Sequence, residues 1–187
     1  MKKIIRMLFI IGFLGAISGS SVLLFVNSKD DERAIQKEVS HIHASANILE
    51  INILEDNRTA IVIYEWGRSD RIAVMELRKS LFSWEMVAAS SERLPLSMEE
   101  GVLYREFSTH TVILGRFFDY QATDITVSTT RGNEELPVTI IEENTYELRQ
   151  YWYLIEEKDQ LTDPVVKLYS ENGKKINEVG KKAFKHR

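Results

Sequence analysis

Met7 to Val26 read MLFIIGFLGAISGSSVLLFV, an unbroken run of twenty residues without a charged side chain. A helix of about that length crosses hydrocarbon about 30 Å thick. A lone segment can satisfy its backbone N–H and C=O groups there only as a helix. The run therefore predicts a membrane anchor through residues 7–26, with everything after it held at a bilayer. Lys2, Lys3 and Arg6 precede the run, and Asp30, Asp31 and Glu32 follow it. Basic residues stay on the cytoplasmic side, so a single-pass orientation follows: N-terminus cytoplasmic, body extracytoplasmic at the cell membrane. A cleaved signal peptide is the rival, with Ala16-Ile17-Ser18 as the small-residue cleavage site. Val22 to Val26 continue the apolar run beyond that site and favour a retained signal anchor.

Gly12, Gly15, Ser18 and Gly19 give the anchor small side chains on one face. Gly15 and Gly19 form a small-xxx-small pair of the kind that lets two membrane helices approach closely, although glycine is also simply frequent in such helices. The chain has no cysteine, so disulfides, thiolate catalysis and lipidation through an N-terminal cysteine are excluded. An exported body without disulfides must be held by its core. Asn57-Arg58-Thr59 is a glycosylation sequon, relevant only in a glycosylating secretory pathway.

The net charge of −4 hides a segregation. Residues 1–29 hold four basic groups and no acidic one; residues 30–173 hold 14 basic and 27 acidic groups; residues 174–187 hold six basic groups and one acidic. An acidic body argues against a nucleic-acid partner, because phosphate binding needs clustered Lys and Arg. The basic end has the charge to touch anionic lipid or wall polymer, and equally reads as a solvated terminal tail.

Four segments follow: 1–29, cytoplasmic N-terminus and anchor; 30–100, a helix plus an antiparallel meander; 101–179, a β-sandwich-like lobe; 180–187, a basic tail. Ile35, Val39, Ile42 and Ala46 recur at helical spacing over 30–46. The period then changes. Ile48–Leu54, Ala60–Trp66, Arg71–Arg78 and Phe82–Ala89 are rich in β-branched and aromatic residues, and polar turns at 55–58 and 67–70 link the first three. Leu81-Phe82-Ser83-Trp84 bridges the last two; a helix over 71–80 competes, since Met, Glu, Leu and Lys favour one. Ser90–Gly101 is the expected boundary between lobes. Beyond it, strands are expected near 102–108, 110–118, 124–130, 136–142, 146–156, 164–170 and 175–179. Asn172-Gly173 supplies a strong hairpin signal between the last two. Seven short strands at this spacing suggest a sandwich with immunoglobulin-like character. The fold class is thus α+β, mostly antiparallel β.

The anchor, the amphipathic helix, the hairpin region with Leu81-Phe82-Ser83-Trp84 and the β lobe ending in LYSENGKKINEVG resemble uncharacterised single-pass, membrane-anchored extracytoplasmic proteins of Bacillus-type bacteria. The resemblance is one of layout and implies no activity, cofactor or site residue.

Few constellations point to chemistry. His41 and His43 would share a face on a strand, but on the expected helix they diverge by about 200° and cannot chelate together. His110 stands alone beside an apolar strand. Gly-x-Ser-x-Gly, P-loop and Gly-x-Gly-x-x-Gly patterns are missing from the sequence. Asp119 and Asp124 fall short of the dense oxygen spacing of a calcium loop. Paired acids occur at Glu99-Glu100, Glu134-Glu135, Glu142-Glu143 and Glu156-Glu157, and a glycosidase needs two carboxylates about 5–10 Å apart across a cleft. Glu99 with Glu142 illustrates such a pair. Tyr151-Trp152-Tyr153 lie in one strand, so Trp152 faces away from both tyrosines. If one face is core, the other presents aromatic surface; this makes Tyr151 and Tyr153 the expected contact surface.

These readings favour a non-enzymatic interaction or structural module without catalytic, cofactor or metal residues. The bilayer is its first partner, through residues 7–26, and an envelope protein or wall polymer its second. The alternatives are a surface hydrolase using an acidic pair, and a subunit of a membrane complex held by the Gly15/Gly19 face.

Overall fold

The computed structural model describes residues 29–66, 71–93, 101–117, 122–129, 132–142 and 150–186. The apolar run at 7–26 lies outside these residues, as do most of the expected lobe boundary and the turn at 67–70. Among the described residues, no helix is long and apolar enough to cross a membrane.

The protein is mostly antiparallel β, with one α-helix among the described residues. Residues 29–42 form that helix, α1. It closes with His43 N–H donating to the Val39 carbonyl at 2.8 Å. The first sheet is an antiparallel meander in the order β1 (Asn47–Ile53), β2 (Thr59–Trp66), β3 (Arg71–Lys79), β4 (Trp84–Arg93). Residues 71–79 are thus strand and not the competing helix; β-pairing on both sides outweighs their helix propensity. The second sheet orders β13 (Lys185–His186), β5 (Val102–Glu106), β6 (His110–Phe117), β10 (Gln150–Glu157) and β9 (Thr139–Glu142). The third orders β12 (Lys175–Gly180), β11 (Val165–Ser170), β7 (Ala122–Thr129) and β8 (Gly132–Pro137).

The period-2 alternation of each strand decides how these parts stack. On β2 and β3, Ala60, Val62, Tyr64, Ala73, Met75 and Leu77 point to one face and pack with Ile35 and Val39 of α1 and with Trp84. Ile61, Ile63, Ile72 and Val74 point to the other face and pack with Leu103, Val112, Leu114, Tyr151 and Tyr153 of the second sheet. The alternate residues of that sheet, Val102, Tyr104, Ile113, Trp152 and Leu154, pack with Ile125, Val127, Val166, Leu168 and Val179 of the third. The order of layers is therefore helix, sheet, sheet, sheet. Both inner sheets are covered on both faces, which is why β2 and β6 read as near-continuous apolar runs.

The segments 30–100 and 101–179 each have packed residues of their own and also share a core face between the first two sheets. Two details of the expected elements change. The segment 136–142 is two strands: the chain pairs with β7 as far as Pro137, then switches sheets and pairs with β10 from Thr139. The end of the chain also differs from a free tail. Residues Lys181–Ala183 form a 3-10 turn, Phe184 is buried in the core between the second and third sheets, and Lys185 and His186 pair in parallel with Leu103 and Tyr104.

Gly115 lies opposite Trp152 across the β6–β10 pair. A Cβ at Gly115 would overlap the indole ring, so only glycine lets this strand pass beneath the tryptophan.

Candidate functional site

Polar bolts join the first two sheets. Tyr151 Oη donates to Glu65 Oε1 at 2.5 Å, and Tyr153 Oη donates to Asn52 Oδ1 at 3.0 Å. The Ser108 hydroxyl and backbone N–H both donate to the buried Glu76 carboxylate, and Arg78 reaches the Ser108 Oγ at 3.0 Å. Tyr151 and Tyr153 are only 3% and 5% exposed. They are therefore not a contact surface. The alternation was right to place Trp152 opposite them, but β10 lies in a middle layer, so both of its faces are core.

A cleft of about 900 Å³ lies between elements of the first two sheets. One wall is the end of β1, the outer strand of the first sheet, with the turn Leu54-Glu55-Asp56. The other is the second half of β10. Strand β9 covers only Gln150–Tyr153 of β10, because the chain enters the second sheet no earlier than Thr139. Leu154 to Glu157 lie beyond the end of β9 and line the cleft with Thr109, His110, Thr139 and Gln160. The β5–β6 turn brings in His110, whose Nδ1 lies 2.8 Å from the Thr109 hydroxyl.

Among the described residues lining the cleft, four are acids, Glu55, Asp56, Glu156 and Glu157, and none is Lys or Arg. Their environments differ. Loss of water raises the Glu156 carboxyl above its ordinary 4.5, and the neighbouring Glu157 charge raises it further, against a smaller opposing effect of His110. Burial likewise raises Glu50, and burial with the Glu50 charge raises the Tyr153 phenol. Partial burial would also raise Asp56, but its hydrogen bonds outweigh it and hold that carboxyl below its ordinary value. Asp56 Oδ1 accepts from the N–H groups of Arg58 and Thr59, both at 2.8 Å, and Oδ2 accepts from Thr59 Oγ1 at 2.6 Å. This carboxylate closes the β1–β2 turn, where Asn57 takes φ +53°. The Asn52 Nδ2 is buried beside the cleft without a hydrogen-bond partner.

The other sequence candidates divide. The His43 ring, one residue past the end of α1, lies tilted at 4.7 Å from Trp66 and 5.7 Å from Tyr64, while His41 is exposed on α1. Glu99 lies outside the described residues, and the side chain of Glu142 is not among those described. Glu135 is on the third sheet, holding Lys167 at 2.8 Å and the Tyr169 hydroxyl at 2.9 Å. Among the described residues no group of three or more His, Asp or Glu is arranged to hold a metal ion. Sequence reasoning missed the meeting of the β1–β2 turn with Glu156 and Glu157. They lie about a hundred residues apart, and only the stacking of two sheets joins them.

No protein-family model matches the chain, and neither a curated protein nor a solved structure matches it.

Proposed function

We propose that this chain is a membrane-anchored extracytoplasmic interaction module, whose cleft between β1 and β10 takes a cationic, extended segment of an envelope protein. The apolar run at 7–26 and the charges flanking it support the anchoring and its orientation. The observation that carries the binding role is the state of Glu156. Glu156 is kept partly dehydrated beside the exposed Glu157, in a cleft whose described lining includes no Lys or Arg. That arrangement costs free energy in the isolated body, and a cationic partner would relieve it. The exposed end of β10, with the unspent Asn52 amide nearby, suits a partner that brings backbone carbonyls with its charge. The same acidic lining disfavours an anionic wall polymer at this place.

The alternative of a surface hydrolase rests on Asp56 and Glu156, whose environments push their carboxyls in opposite directions within one cleft. It is the weaker reading, because three short hydrogen bonds already commit Asp56 to the turn.

The test is binding of a lysine-rich peptide of alternating Lys and Thr to the full chain in detergent micelles, followed by fluorescence anisotropy. Binding that weakens with salt, and weakens by about tenfold or more in the double variant Glu156→Gln, Glu157→Gln, is expected. Equal binding by wild type and variant would refute the cleft as the site.

A further inference from the structure

The β3–β4 turn carries the most exposed apolar side chains among the described residues. Leu81 is 91% exposed and Phe82 is 97% exposed. A turn has no need of either: Ser80 and Ser83 already close it, with Ser80 N–H donating to the Ser83 carbonyl at 2.8 Å and the two hydroxyls 3.0 Å apart. The residues on either side of the turn are fastened to the start of α1. Asp31 accepts from Lys79 Nζ at 2.7 Å and from Trp84 Nε1 at 3.1 Å, and Lys79 also lies over the Trp84 ring.

Asp31 is five residues beyond Val26, where the apolar run ends. Five residues span at most about 17 Å, and the two from Lys79 to Leu81 about 7 Å more. The Asp31–Lys79 side-chain bridge adds roughly 10 Å between the two backbones, so the Leu81–Phe82 tip lies within roughly 35 Å of the end of that run. α1 leads away from it, since His43, just past its far end, lies against Trp66 at the opposite end of β2. The tip is thus at the end of the body where the chain leaves the apolar run. The β1–β2 turn lies at this end too, with the Arg58 carbonyl accepting from Lys79 N–H at 2.7 Å. It brings Glu55 and Asp56, so contact here is driven by apolar burial rather than by attraction to anionic lipid.

We propose that Leu81 and Phe82 insert into the outer surface of the bilayer and make a second attachment beside the anchor, fixing the tilt of the β stack and the direction in which its cleft faces. This rests on the anchored reading of residues 7–26. An amphipathic element buries its apolar side chains about 5–10 Å into the headgroup and acyl boundary, a depth a two-residue tip can reach.

The chain has no cysteine, so single-cysteine variants of the full chain report one place each. Leu81→Cys, Ala16→Cys and Asn172→Cys are labelled with an environment-sensitive dye and reconstituted in phosphatidylcholine vesicles with or without a spin-labelled lipid quencher. The expected result is strong quenching at position 16, and at least about twofold more quenching at 81 than at 172. The Phe82→Ser substitution in the Leu81→Cys chain should abolish that excess. Quenching at 16 with position 81 no different from 172 would overturn the tip contact and leave the anchor standing. Quenching at 81 but not at 16 would support the tip contact and refute the anchor. Absence of quenching at both would refute the two together. Dye at 81 shielded from water but not quenched by lipid would overturn the proposal in favour of a second copy or another protein.

Discussion

The Tyr151 hydroxyl donates to the buried Glu65 carboxylate at 2.5 Å, joining the middle sheet to the one beneath α1. Glu65 is 4% exposed. A carboxylate so placed is tolerable only while its oxygens keep hydrogen-bond donors. Tyr151→Phe removes one of them and leaves the charge buried. The expected loss is about 1.5–3 kcal/mol of folding stability, the range for a hydrogen bond to a charged group. Urea unfolding in detergent micelles measures it. Glu65→Gln in the Tyr151→Phe background should cost less than in wild type, giving a non-zero coupling energy where additivity would give none.

Gly115→Ala should destabilise by about 1–3 kcal/mol, because a methyl group there drives into the Trp152 ring within a close-packed core. Gly180→Ala is the control, since a Cβ there meets nothing. Thermal unfolding of both variants by circular dichroism distinguishes them: a clear fall in Tm for the first and little change for the second.

Ile35→Ala should cost about 2–5 kcal/mol, the range for deleting a fully buried aliphatic side chain. Because Ile35 fastens α1 to the first sheet, amide hydrogen exchange should rise first in residues 29–42. Uniform acceleration through all three sheets would contradict α1 as a separately attached outer layer.

The pH dependence has a defined sign at Glu156. Its folded-state carboxyl lies above the ordinary value of 4.5 through loss of water and the Glu157 charge. The folded chain therefore holds that proton more tightly than the unfolded chain. The contribution is favourable below the ordinary value and is lost as pH rises through the folded one. Glu156→Gln should match wild type under acid conditions and exceed it at neutral pH, read as the shift in urea midpoint with pH. Less stability than wild type at neutral pH would contradict the environment assigned to this group.

Local pattern carried much of this fold. The alternation of Ile72, Val74 and Glu76 against Ala73, Met75 and Leu77 placed β3 and its two faces, and the spacing of Ile35 and Val39 placed α1 and the side it buries. Alternation says which residues oppose one another but not how many layers lie outside them. Alternation alone therefore puts Tyr151 and Tyr153 on a surface, whereas another sheet covers them. Residues 136–142 read as one strand because sheet-switching at Val138 leaves no periodicity of its own. The 180–187 segment read as a tail from its basic charge, while the single aromatic Phe184 was the signal that it docks. The cleft was illegible for a different reason: the β1–β2 turn, His110 and Glu156 each looked ordinary, and only tertiary packing gathers them.

The central claim is that the β stack stands outside the cell on an uncleaved anchor. Protease protection in intact protoplasts of a Gram-positive host, using the full chain with an epitope at each end, tests it most directly. The expected result is loss of the C-terminal epitope to external protease, with the N-terminal epitope protected and retained in membranes through alkaline carbonate extraction. Protection of the C-terminal epitope until the cells are permeabilised would contradict the orientation. Release of a soluble chain with a new N-terminus near Gly19 would contradict the anchor itself.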